Sequence, residues 1–196
     1  MPGSSKQNVA RLFVAFPVPD IQREELKLIQ QQNSSLTGIR WTPLPNLHLT
    51  IFFLGEVLEE NIPQINDVIS KVVEQTHPFI VQFEKIVLAG KMKHGGMIWA
   101  RFFKNNFYTA ISMDIYDAVK EYLIVQPMIK DPIPHITLAR FKREAETEKI
   151  NLSFEYNFSI PGINFCELWK SVQTKEGVIY KSLQRFELNK THPEKQ

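Results

Sequence analysis

A four-residue pattern of histidine, apolar, threonine, apolar occurs twice in this chain, as His48-Leu49-Thr50-Ile51 and as His135-Ile136-Thr137-Leu138. Each copy follows a proline-rich turn and lies in a run of β-favouring residues. Side chains alternate along a strand, so in each copy the histidine and threonine share one face, while Leu49, Ile51, Ile136 and Leu138 point into a core. One such tetrapeptide in a strand is ordinarily structural. Two matched copies, one per half of the chain, predict two related lobes that bring two imidazoles and two hydroxyls to face one another across a cleft.

The periodicities between the motifs agree with that division. Arg11 to Val18 reads as a first strand and Asp20 as the cap of a helix from Ile21 to Gln32. "HLTIFFLG" is a strand stopped by Gly55, and Ile62, Ile65, Ile69, Val72 and Val73 mark an amphipathic helix over Asn61 to Thr76. A strand from Phe79 to Leu88 closes the first half. The second half repeats the order: a strand from Gly95 to Phe103, a helix from Asn106 to about Leu123, and the strand "DPIPHITLARF". Further strands are expected near Phe154 to Ile160, Gly162 to Gln173 and Val178 to Leu188, with Gly177 turning a hairpin between the last two. Strands joined by helices or hairpins in both halves predict an α+β fold.

Length and composition bound the possibilities further. At 196 residues the chain is expected to form one domain, residues 9–189, with flexible termini at 1–8 and 190–196. Hydrophobic residues at 43% and charged residues at 22% are those of an ordinary globule. The single cysteine, Cys166, permits no internal disulfide and fits a reducing compartment. Apolar runs such as Leu49 to Leu54 are far shorter than a spanning helix, and Met1 to Gln7 lacks the apolar core of a signal peptide. A cytoplasmic protein with no membrane partner is therefore expected. Net charge is only +2, but Lys85, Lys91, Lys93, Arg101 and Lys104 form a basic stretch without an acid up to Met113. Such a local stretch suits a phosphate-bearing ligand held at one place.

The residue types of the two motifs suit one chemistry. With an ordinary pKa near 6.5, one imidazole can accept a proton while a second donates one. A threonine hydroxyl can donate to a phosphoryl oxygen as charge builds on it. Together they suit in-line attack on a phosphodiester, an arrangement that requires no metal and no cofactor. A metal site built on His48, His135 and Asp131 is disfavoured, because no close ligand spacing such as His-x-x-x-His occurs. His77, His94 and His192 repeat no pattern and read as incidental.

"NLHLTIFFLGE" and "PHITLARF", together with "RLFVAF", "RWTP" and "LWKSVQTKEGVIYKSLQRFEL", resemble the two-histidine (2H) phosphoesterase superfamily, and within it the RNA 2′,3′-cyclic phosphodiesterases, also called 2′-5′ RNA ligases. The resemblance runs from Arg11 to Leu188. It implies a bilobal fold with pseudo-two-fold symmetry, two antiparallel β-sheets flanked by helices around a central cleft. It also implies metal-independent opening of RNA 2′,3′-cyclic phosphate ends to 2′-phosphomonoesters, with His48 and His135 as acid and base in either order and Thr50 and Thr137 on the non-bridging oxygens. An RNA 5′-hydroxyl in place of water would give 2′-5′ ligation. The expected partners are RNA ends or cyclic nucleotides as substrate, with no obligatory protein partner and a monomeric state. Other readings are a 2H phosphodiesterase acting on 2′-5′ oligonucleotides or a small cyclic phosphate, and an RNA-end binding module without turnover.

Arg140 matches the arginine that follows the second motif in this family, which implies a substrate contact by base stacking or phosphate pairing. Strict alternation from Thr137 would turn it away, so the assignment requires a bend or bulge in the strand, or a side chain that reaches around its edge. Phe16 and Tyr180 could stack a base, but aromatic residues in strands are more often core, and both are left out of the site. "GKMKHGG" stands where the family carries a proline-containing stretch.

Overall fold

A computed structural model describes residues 8–90, 95–127, 131–143, 145–151, 159–175 and 177–189. In chain order the elements are β1 (Val9–Pro17), α1 (Asp20–Gln32), β2 (Ile39–Trp41), β3 (His48–Leu58), α2 (Ile62–Glu74), β4 (Phe79–Ala89), β5 (Gly96–Phe102), α3 (Asn106–Val119), β6 (His135–Phe141), β7 (Ser159–Ile163), β8 (Phe165–Thr174) and β9 (Gly177–Glu187). Every strand pairing among them is antiparallel. The fold is α+β, as the sequence leads one to expect.

The strands run in the order β7-β4-β5-β6-β3-β1-β8-β9, with β2 paired to β6 off this path. The two strands that carry the histidine motifs, β3 and β6, are thus neighbours in the middle. Their ladder is a single residue pair, Leu49 opposite Ile136. Where two antiparallel sheets were expected, the strands form one nine-stranded sheet, narrowed at the motifs to that single pair.

Alternating burial separates the two faces. Leu12, Val14, Leu49, Ile51, Ile136 and Leu138 join one buried cluster with Leu26 and Ile29 of α1, Ile65, Ile69 and Val73 of α2, and Ile111 and Ile115 of α3. Between them on β1, Phe13 and Ala15 belong to a separate small cluster with Trp169, packed by Tyr180. The helices thus bury one face, and the opposite face carries the histidines. Each buried Leu or Ile side chain contributes about 1.5–3 kcal/mol, so a shift of either motif strand by one residue, which would expose that set, is strongly opposed.

Two hydroxyls fasten the motif backbones from outside. The buried Tyr108 of α3 donates its hydroxyl to the Thr50 carbonyl, and Thr42, just after β2, donates its own to the Thr137 carbonyl at 2.8 Å.

Several local expectations are corrected. Asp20 is the first residue of α1 and pairs with Arg23 at 2.5 Å; Pro19 precedes it and no side chain caps the helix. Gly55 does not stop β3: with φ at +73° it continues the strand opposite Leu12, next to an extra residue, Leu54. The three-residue strand β2 was not anticipated, and Asn164 divides β7 from β8 inside the stretch read as one strand. The strand expected from Phe154 falls mostly outside the described residues, as do Lys91, Lys93, His94 and His192. No helix among the described residues is long and apolar enough to cross a membrane.

Candidate active site

Both histidines enter their strands from a turn that also orients the ring. A short 3₁₀ turn, Leu44–Asn46, leads into β3, and the Asn46 carbonyl accepts the Nδ1–H of His48 at 2.7 Å. In the second half the Ile133 carbonyl accepts the Nδ1–H of His135, also at 2.7 Å. A carbonyl can only accept, so in each neutral ring Nδ1 holds the hydrogen and Nε2 is the nitrogen that gains or loses a proton.

The single pair Leu49 and Ile136 fixes the rest of the arrangement. Extending an antiparallel register one residue either way sets His48 across from Thr137 and Thr50 across from His135. The two histidines are then diagonal neighbours across the join, near enough for the charge of His135 to act on His48. Among the described residues the hydroxyls of Thr50 and Thr137 make no hydrogen bond, and both side chains are half-buried on this face.

The surroundings of the two rings differ. His48 lies among Phe13, Trp169 and Tyr180, with ring centroids at 5.0, 5.4 and 5.2 Å. Burial there pushes its pKa down to about 4; the bond to the Asn46 carbonyl opposes the fall, and the charges of His135 and Arg140 add to it. His135 stacks on Trp99 at 3.8 Å and 24°. Burial lowers its pKa as well, opposed by the Ile133 carbonyl and assisted by the charge of Arg140.

Arg140 is brought to the same face by a bulge. In the β5–β6 ladder Trp99 faces Thr137 and Ile98 faces Ala139, which leaves Leu138 as an extra residue on β6. The extra residue shifts the alternation by one, so Leu138 and Ala139 are both buried and Arg140 emerges. β3 carries the same device: Ala15 faces Thr50 and Val14 faces Phe52, leaving Ile51 extra. Phe53 is therefore to the first motif what Arg140 is to the second. It is 47% exposed, stacks on Phe13 at 5.2 Å and has the Arg11 guanidinium 5.9 Å from its ring centre.

All five residues singled out in the sequence, His48, Thr50, His135, Thr137 and Arg140, thus converge on the join of β3 and β6. Phe53, Trp99 and Trp169 were missed. The signal for Phe53 was the break in alternation after each motif, two apolar residues in a row, "IF" and "LA", each followed by an emergent side chain. Phe16 and Tyr180 part company. Phe16 is buried against Phe165, whereas Tyr180, read as core, forms a wall of the site.

The described members of the basic stretch have carboxylate partners. Arg101 is held by two bonds to Glu84, at 2.8 and 2.5 Å, which also lies 3.5 Å from Lys85, and Lys104 pairs with Asp131 at 2.6 Å. Burial pushes the Cys166 thiol up to about 12, which leaves it protonated and unreactive. No group of three or more His, Cys, Asp or Glu side chains suited to a metal ion forms among the described residues.

Comparison with known proteins bears on the same residues. The model of the family described as LigT like Phosphoesterase matches residues 16–99, which include the first motif. An RNA 2′,3′-cyclic phosphodiesterase of Archaeoglobus fulgidus is 31% identical over 180 residues, covering 90% of this chain and 99% of that one. One from Methanocaldococcus jannaschii is 26% identical over 90% of this chain and 99% of its own length. Among solved structures, TT0787 of Thermus thermophilus superposes with a TM-score of 0.78 at 24% identity, over 93% of this chain and all of that one. Escherichia coli LigT, solved with NADP+, gives 0.72 at 20% identity over the same shares. The two structures establish the fold. The Archaeoglobus relative, aligned along nearly its whole length and through both histidine strands, carries the point beyond a likeness of motifs: this chain belongs to the LigT-like, two-histidine phosphoesterase family.

Proposed function

We propose that this protein opens the 2′,3′-cyclic phosphate at an RNA end to a 2′-phosphomonoester, without a metal ion. The observation that carries the reading is the pair of imidazoles pinned in the same tautomer on either side of the Leu49–Ile136 join. One Nε2 takes a proton from water as its oxygen attacks phosphorus. The bond from phosphorus to O3′ breaks, and the other imidazole, protonated at Nε2, gives its proton to O3′. Thr50 and Thr137 donate to the non-bridging oxygens, and Arg140 binds the substrate's charge, where its guanidinium lowers the pKa of both histidines. The substrate's phosphate acts oppositely, stabilising the imidazolium, so the acid acquires its proton as the substrate binds. A 5′-hydroxyl of a second RNA in place of water would form a 2′-5′ linkage by the same transfers. The names of the relatives support an RNA cyclic phosphate as substrate.

The test is to incubate the purified protein in EDTA with an oligoribonucleotide ending in a 2′,3′-cyclic phosphate and follow phosphorus by NMR, beside His48→Ala and His135→Ala. A 2′-phosphomonoester formed by the unaltered protein alone is expected. Bound RNA that stays unconverted would instead favour a binding module.

A further inference from the structure

Beside the histidines lies a cavity of about 450 Å³. It shares the walls Phe13, Tyr180 and Asn46 with the surroundings of His48, but neither histidine lines it. It is adjacent to the reacting position without including it. Its volume falls within the range of about 300–1,000 Å³ usual for small-molecule sites.

The lining is cationic and aromatic. Arg11, Arg40 and Arg140 contribute to it, with Phe53, Trp41 and Tyr180, and among the described residues no acidic side chain does. Arg40 reaches this place because β2 pairs with β6, and the register sets it directly opposite Arg140. Like charges opposite one another in a ladder are unfavourable, and an anion between them removes the repulsion. Arg101, Lys104 and Lys170 each have a carboxylate partner, whereas Arg11 and Arg40 have none among the described residues, and Arg140 donates to the Met97 sulfur at 3.1 Å. A second depression shares Arg40 and Arg140 and adds Lys142. Beside three guanidiniums, the exposed face of Phe53 and the ring of Tyr180 offer a nucleoside apolar surface.

We propose that this cavity holds the nucleoside and the 5′-phosphate of the nucleotide whose cyclic phosphate lies between the histidines, with Arg11, Arg40 and Arg140 on that 5′-phosphate. This rests on the reaction proposed above and deepens it. The substrate is an RNA end carrying at least one further phosphodiester, and a nucleoside 2′,3′-cyclic phosphate lacking the 5′-phosphate is a poor one.

The experiment compares kcat/KM for adenosine 2′,3′-cyclic phosphate, its 5′-phosphorylated form, and a dinucleotide with the same cyclic end, using the unaltered protein, Arg40→Gln, Arg40→Lys and Arg11→Gln. A gain of tenfold or more is expected from the 5′-phosphate, as monoester or diester. It shrinks toward one in Arg40→Gln and Arg11→Gln, and most of it is kept in Arg40→Lys, where charge remains. The gain also falls as salt rises. Melting temperatures verify that the variants are folded. Equal kcat/KM for all three substrates in the unaltered protein would overturn the proposal, and a gain confined to the monoester would overturn the assignment to an RNA chain. Should no cyclic phosphate be turned over, the reaction reading fails and calorimetry decides this one. Adenosine 2′-phosphate binding more tightly with a 5′-phosphate than without, and losing that advantage in Arg40→Gln, supports the cavity; equal affinities contradict it.

Discussion

The two halves of the site share a backbone and differ in what they place on it. In both, a carbonyl two residues upstream pins Nδ1, a hydroxyl from elsewhere in the chain holds the threonine carbonyl, and one extra residue, the last of the motif, turns out the next side chain but one. Yet among the described residues His48 is ringed by three aromatics where His135 has one, and the emergent residue is Phe53 in the first half and Arg140 in the second. Under the proposed reaction the duplicated geometry would supply two proton carriers at matched positions. The differing side chains would divide the remaining work, with an apolar, aromatic surface on one side and a fixed positive charge on the other.

The largest effects should be equal in the two halves. Replacing either His48 or His135 with alanine is expected to lower kcat on a cyclic phosphate by about a thousandfold, because each contributes one of two proton transfers. The double variant should lose little more than either single one, since the two act as a unit. A single variant that kept more than a tenth of the rate would break the symmetry of the account.

Acid stability should separate the halves. The folded pKa of His48, about 4, lies below the ordinary 6.5, so the native state favours the neutral ring. Its contribution is fully present above pH 6.5 and is lost as pH falls toward 4, by up to about 3 kcal/mol. Chemical denaturation at pH 7 and pH 4.5 checks this, and His48→Phe should flatten much of the difference.

At the emergent positions, Arg140→Gln is expected to raise KM by about tenfold or more, through loss of a charge-assisted bond of about 1.5–3 kcal/mol. Phe53→Ala should cost less and act without salt dependence, because it removes apolar contact and no charge. Steady-state kinetics at two salt concentrations distinguish them. If the two substitutions behaved alike, the division of labour would be wrong.

The smallest effects concern the fasteners. Tyr108→Phe and Thr42→Val each remove one hydroxyl from a motif carbonyl and should each lower stability by about 1 kcal/mol, read as a shift in Tm.

What the sequence made legible was whatever obeys a simple period. His48, Thr50, His135 and Thr137 were placed on one face by alternation alone, and the apolar spacing of Ile65, Ile69 and Val73 marked α2. Arg140 needed a bulge, whose trace in sequence is only a pair of adjacent apolar residues, and Phe53 went unnoticed for the same reason. Arg11 and Arg40 are far apart in the chain and meet only through sheet pairing that no local pattern announces. Conversely, the contiguous basic stretch drew attention although Glu84 and Asp131, from other elements, pair with its Arg101 and Lys104. The three residues of β2 are too few to show a period, yet they carry Arg40 to the site.

The most direct measurement is of the two imidazoles themselves, by ¹⁵N NMR of the histidine side chains through a pH titration, with and without a bound 2′-phosphomonoester. Both neutral rings are expected to carry their hydrogen on Nδ1 and to titrate at Nε2 below 6.5, His48 near 4, and the phosphomonoester is expected to raise both together. A hydrogen on Nε2 in either ring, or a ligand that moved one histidine and left the other unchanged, would contradict a single centre built from the two motifs.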